Sequence, residues 1–128
     1  MAKFVVEPTD RSPAVYFDFD NRSLKISGES YPEDVIAFYH PVFRALDQFL
    51  DDQNTNDVRF DFELVYFNSG SAKAIMMIME KLDDAARNGT DVQVHWYYDQ
   101  EDDTMEELGG EFGEDLEHAK FFLEKMVE

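Results

Sequence analysis

One stretch of this 128-residue chain constrains its fold more than any other: the run from Val58 to Phe67, together with the polar break and apolar stripe after it. Val58, Phe60, Phe62, Leu64 and Tyr66 alternate with Arg59, Asp61 and Glu63. That spacing predicts an extended strand with one apolar and one charged side. Asn68-Ser69-Gly70-Ser71 breaks the alternation, and Ala72, Ile75, Met79, Leu82 and Ala86 then recur at helical spacing up to Asn88-Gly89, a helix stop. Val92 to Tyr98 is a second strand. Strand, helix and strand in that order predict a right-handed crossover, with the two strands parallel.

The flanking segments extend this unit. Val15, Phe17 and Phe19 alternate with Tyr16 and Asp18, and Asp20-Asn21-Arg22-Ser23 turns the chain into a returning strand, Leu24 to Ser27. Lys3 to Val6 is expected to add an edge strand. Ser30-Tyr31-Pro32-Glu33 has the form of a capping box, followed by a helix carrying Val35, Phe38, Val42, Leu46, Phe49 and Leu50. Pro41 removes a backbone donor inside it, which predicts a kink near His40 or two abutting helices. Asp51 to Asp57 is a polar loop. Glu101 to Glu117 is expected to be partly helical around Met105 and Leu108, and Lys120 to Val127 fits either a strand or a helix. The expectation is one α/β domain over residues 1–128, a mixed sheet with helices packed against it.

Charge narrows the functional classes. Twelve phenylalanines and an aromatic content of 15% supply a packed core, so the net charge of −18 does not signal disorder. It does oppose binding to phosphate backbones and to anionic lipid surfaces. Neither nucleic acid nor membrane is an expected partner. A basic protein surface is the complementary reading, with solubility as the plain alternative. No apolar run reaches the ~20 residues that span a bilayer, and Met1 to Thr9 lacks the pattern of a signal peptide. A cytoplasmic location is expected. The absence of cysteine removes disulfide, thiolate-metal and Cys-nucleophile chemistry.

The strand-to-helix turn is the candidate site. A hydroxyl at Ser69 or Ser71 lies beside the unpaired N–H groups and positive dipole end of a helix, where a phosphate is favoured. Lys73 follows in the first turn, and Gly70 leaves the backbone open to close approach. The same serines also read as an ordinary N-cap. A serine hydrolase with Ser69 as nucleophile and His95 as base fits less well, because Phe67-Asn68-Ser69-Gly70-Ser71 lacks the first glycine of a nucleophile elbow. Ten carboxylates lie between Asp99 and Glu117, with no Lys or Arg between Arg87 and Lys120. A calcium loop starting at Asp99 would need glycine at Thr104 and glutamate at Gly110, so a solvated or partner-facing acidic surface is expected instead. His40, His95 and His118 show no metal-ligand spacing. Met76, Met77 and Met79 read as core or as an adaptable interface, and Trp96-Tyr97-Tyr98 as core or as a partner anchor. No cofactor, metal or catalytic residue is expected.

Several segments together resemble one family. Ser12-Pro13-Ala14-Val15-Tyr16-Phe17-Asp18, Ile26-Ser27-Gly28-Glu29-Ser30-Tyr31-Pro32-Glu33, Phe38-Tyr39-His40-Pro41-Val42, Tyr66-Phe67-Asn68-Ser69-Gly70-Ser71-Ala72-Lys73 and Val94-His95-Trp96-Tyr97-Tyr98-Asp99 are similar, in order, to the SiaC family of bacterial regulatory phosphoproteins. The likeness runs from about Thr9 to Gly113. It implies a STAS-like fold and a partner switch. In the family a dedicated kinase phosphorylates a Thr or Ser in the strand–helix turn, and a PP2C-type phosphatase reverses it. The unmodified form activates a diguanylate cyclase, raising cyclic-di-GMP and promoting biofilm. The family turn commonly reads Asn-Thr-Ser-Ser-Ala-Lys, which places the modified residue at Ser69, with Ser71 as the alternative acceptor. Ser69 replaces Thr and Gly70 replaces Ser, and His95 stands where the family often has Asn. The partner surface so implied comprises Asn68, Ser69, Gly70, Ser71, Lys73 and Tyr97. An anti-anti-sigma-type antagonist acting on an anti-sigma kinase would use the same switch.

Overall fold

The computed structural model describes residues 3–52 and 54–126. Nine elements succeed one another: β1 (Lys3–Val6), β2 (Ala14–Asp18), β3 (Ser23–Ser30), α1 (Val35–Asp51), β4 (Asp57–Phe67), α2 (Ser69–Arg87), β5 (Asp91–Asp99), α3 (Asp103–Glu114) and β6 (Lys120–Met126). The strands form one sheet in the order β1-β2-β3-β4-β5-β6. The first two pairings are antiparallel, and β3–β4, β4–β5 and β5–β6 are parallel. Each parallel step is bridged by one helix. Three crossovers of the same hand that step in the same direction put their helices on one face of the sheet.

That face holds the core. Phe17, Ile26, Phe60, Phe62, Val94 and Trp96 are buried from the strands, against Tyr39, Val42 and Leu46 of α1 and Ile75, Ile78 and Leu82 of α2. The opposite face is open. It carries polar ladders in which Lys25 pairs with Glu63 at 2.6 Å and Arg59 with Asp61 at 2.9 Å. No described helix is long and apolar enough to cross a membrane.

The α/β architecture, the hairpin, the edge strand β1 and the parallel β4-α2-β5 unit match the sequence reading. Two details differ, at Ser30 and Tyr66, and two open alternatives are narrowed, at Pro41 and in the last segment. Ser30 does not cap α1: it ends β3 fully buried, while Asp34 is the N-cap and its carboxylate accepts from Ala37 N–H at 3.0 Å. Glu33 instead pairs with Arg11. Pro41 lies inside a single helix, so α1 is not divided in two. It sits in the second turn, where it removes one hydrogen bond without ending the ladder. Tyr66 leaves the core face, because Gly28 pairs with Leu64 while Glu29 pairs with Tyr66. Val65 is therefore an extra residue, and a bulge of this kind re-aims the side chains beyond it. The chain's last described segment is a strand. Its alternation is weak because it lies on the sheet edge and is only half covered. Gln53 and Val127 lie outside the described residues.

Candidate functional site

The parallel strands β3 and β4 end side by side, and the turn after β4 opens at that carboxyl edge, where α/β sheets place their sites. Asn68, in extended backbone, donates its N–H to the Ser30 carbonyl at 3.2 Å, tying the turn to the end of β3. Its side-chain oxygen accepts from Ser71 N–H at 2.9 Å. Asn68 is thus the N-cap of α2, and neither serine is needed for that role.

The two serines, equivalent in the sequence, have opposite environments. Ser69 is the first residue of α2 and is exposed. Its hydroxyl has no hydrogen-bond partner among the described residues, and the first-turn N–H groups lie beside it. Lys73 is one turn on, at the i+4 position, exposed and without an ion pair among the described residues. Ser71 is fully buried. It accepts from the Ser30 hydroxyl at 2.8 Å, and Ser30 lies 2.6 Å from the Tyr39 hydroxyl. Burial raises the Tyr39 pKa, partly offset by its bonds to the serines. This chain of three hydroxyls joins β3, α1 and α2 beneath the turn, and in a dry interior each would be costly if left unpaired.

Gly70 has a packing role. A Cβ there would lie 3.1 Å from Val35 Cγ2, so the glycine lets the starts of α1 and α2 approach. Next to that contact, Ile36 is 80% exposed. At the end of β4, Val65 is 63% and Tyr66 50% exposed, and the Tyr66 ring meets Tyr31 edge-on at 5.7 Å. Exposed apolar residues bordering a polar turn are a feature of interaction surfaces. Sequence reasoning misses this rim, because strict alternation assigns Tyr66 to the core and Ile36 falls outside the apolar stripe of α1. Only the position of Ile36 is a usable signal in the sequence.

The structure does not bring Tyr97 into this group. It stands on the open face of β5, where Arg59 Nη2 donates to its hydroxyl at 2.6 Å and burial raises its pKa. Trp96 is core, its indole N–H donating to the Met105 carbonyl at 3.1 Å, and Tyr98 donates to Glu106 at 3.2 Å. His95 points to the same side as Tyr97 but is buried there, stacked on Phe122 at 4.6 Å and 3.0 Å from Glu124. It is level with Asp61, about 20 Å of strand before Phe67. Ser69 and His95 therefore form no nucleophile–base pair. Met79 is buried while Met76 and Met77 are exposed. No cluster of three or more metal-ligating side chains occurs among the described residues.

Comparison with known proteins gives a consistent result. The family model described as SiaC family regulatory phosphoprotein matches residues 6–126. An uncharacterised protein of Pseudomonas aeruginosa strain UCBPP-PA14 is 32% identical over 115 residues, 90% of each chain. The structure of apo-SiaC from Pseudomonas aeruginosa superposes with a TM-score of 0.90 at 31% identity, covering 97% of this chain and 99% of that one. SiaC of the same organism in complex with the diguanylate cyclase SiaD, of which it is the activator, superposes with a TM-score of 0.91 at 30% identity, over 96% and 99% of the two chains.

Proposed function

The chain belongs to the SiaC family of regulatory phosphoproteins, and on that premise we propose that it is a cytoplasmic partner-switch protein that binds and activates a diguanylate cyclase until Ser69 is phosphorylated. A Ser/Thr kinase sets the phosphate and a PP2C-type phosphatase removes it. The observation that carries this reading is the contrast at the turn: Ser69 is exposed at the start of α2, whereas Ser71 is buried and hydrogen-bonded. A kinase must reach a hydroxyl, and in the folded protein it can reach Ser69. The similarity to a cyclase-bound SiaC supports the partner.

Phosphate at Ser69 would add about −1.5 to −2 charge beside the first-turn N–H groups and Lys73. Helix α2 would tolerate that anion, so the fold need not change. A partner seated against Ile36, Val65 and Tyr66 would not tolerate it, because docking would strip water from the phosphate. The turn then works as a local block rather than as a refolding switch.

The test is cyclase output with purified chains. Ser69→Ala is expected to bind and activate as the unmodified protein does, and Ser69→Asp to lose activation by about tenfold or more. Full activation by Ser69→Asp would overturn the reading, as would phosphate mapped to Ser71 by peptide mass spectrometry.

A further inference from the structure

The helix layer carries a groove between α2 and the end of α3 that the Ser69 turn does not use. It has a volume of about 200 Å³. Met79 forms its floor, Met76 stands at its lip 45% exposed, and Phe112 and Leu116 make the facing wall. That wall is rigid. Phe112 packs on Trp96 with ring centroids 5.4 Å apart and on Phe67 at 6.1 Å. Asp83 at the groove's edge accepts from three backbone N–H groups, those of Glu117, His118 and Ala119, at 3.1, 2.8 and 2.9 Å.

The rim is predominantly acidic. Glu80, Asp84 and Asp115 border the apolar floor, and no Lys or Arg occurs between Arg87 and Lys120. Lys81 is committed to Asp47 on the α1 side at 2.9 Å, and Arg87 pairs with Asp84 at the far end of the rim, so Glu80 and Asp115 are the rim carboxylates without a cation among the described residues. Lys73 stands one turn before Met76, toward Ser69. We infer that the α2–α3 groove docks a basic amphipathic helix of a partner protein, with one bulky apolar side chain between Met76 and Phe112 and Lys or Arg residues along Glu80 and Asp115.

Three features select this occupant. An apolar slot between helices with a charged rim suits a helix that has an apolar face and a basic flank. Methionine at the lip adapts to the shape of an incoming side chain. A second copy of this chain is disfavoured, because each copy carries −18 and would meet the acidic rim with its own negative field. The groove also lies roughly 10–20 Å along α2 from Ser69, at 1.5 Å per residue. It is a second surface, and it stands or falls independently of the phosphorylation reading.

The experiment uses the full chain and a fluorescein-labelled 18-residue amphipathic peptide of Leu and Lys, with a scrambled peptide of the same composition beside it. Binding is followed by anisotropy, and Met methyl resonances report its place. The expected result is saturable binding with shifts at Met76 and Met79, and about tenfold weaker binding of the scrambled peptide. Met76→Glu and the double variant Glu80→Lys/Asp115→Lys are each expected to lose about tenfold. The control double variant Asp10→Lys/Asp20→Lys, with the same net charge, should lose less than about threefold. Absence of binding, equal binding of the scrambled peptide, or equal losses in the two double variants would overturn the proposal. None of these readouts involves the cyclase or Ser69.

Discussion

Asp83 shows how one side chain can fasten a fold. Its carboxylate gathers the N–H groups of Glu117, His118 and Ala119, the turn that leads from α3 into β6. Burial works against the charge, but the three backbone bonds outweigh it and hold its pKa below the ordinary aspartate value. A depressed folded-state pKa means stability that is present above the unfolded value of about 3.9 and lost as pH falls through the folded one. Asp83→Asn, which keeps an acceptor but removes the charge, is expected to cost about 1 kcal/mol at neutral pH. In urea titrations the gap to the wild type should hold from pH 8 to about 5 and close below about 4. A gap that persists at low pH would mean the carboxylate acts by shape alone. Ser71 makes a related point. Its side chain shares the stripe of Ile75, Ile78 and Leu82, so its hydroxyl is structural material, and Ser69, two residues back, is left to face solvent.

At the scale of elements, α3 is the least self-sufficient. Three of its twelve residues are glycine and five are Asp or Glu, with no Lys or Arg among them. Each interior glycine costs about 1 kcal/mol against alanine, and like charges one turn apart repel. Packing holds the helix instead. A Cβ at Gly109 would enter the Trp96 indole and one at Gly113 the Phe121 ring, so the glycines let α3 lie directly on β5 and β6. Gly109→Ala therefore opposes two effects: a helix-propensity gain of about 1 kcal/mol against an overpacking cost of about 1–3 kcal/mol. The indole is fully buried and donates to the Met105 carbonyl, so it has little room to yield. The net expectation is destabilisation, seen as a lower melting temperature and a shifted Trp96 emission. Gly110, with open space around its Cβ position, should be stabilised by the same change. Equal responses at the two positions would show that propensity alone governs α3.

The whole molecule carries 29 acidic against 11 basic residues, and most carboxylates among the described residues lack a cation. The ion pairs among the described residues are chiefly at the surface, for example Arg22 with Asp57 at 2.6 Å and Lys120 with Asp91 at 3.4 Å, where each contributes little. Self-repulsion is then the dominant long-range effect. Raising NaCl from about 20 mM to about 500 mM shortens the screening length severalfold. It is expected to raise the melting temperature by about 3–5 °C. A melting temperature that falls with salt would mean that the surface pairs outweigh the repulsion.

The amino-acid sequence by itself determined features that are local or ordered along the chain. Period-two alternation fixed β4, helical spacing fixed α2, and Asn68 to Ser71 fixed the turn between them, because dihedral preference and side-chain direction act over a few residues. The ordered segments from Ser12 to Asp99 pointed to the family, whose model matches residues 6–126. Tertiary structure alone decided the features that depend on strand register and close approach. The bulge at Val65 moved Tyr66 to the surface, and burial at the junction of β3, α1 and α2 turned Ser30 from an expected cap into the partner of Tyr39 and Ser71. Tyr97 went to the open face, away from Ser69, because all three helices cover the other side. The physical reason is range: alternation says that a strand has two faces, and only the packed helices say which of them is covered.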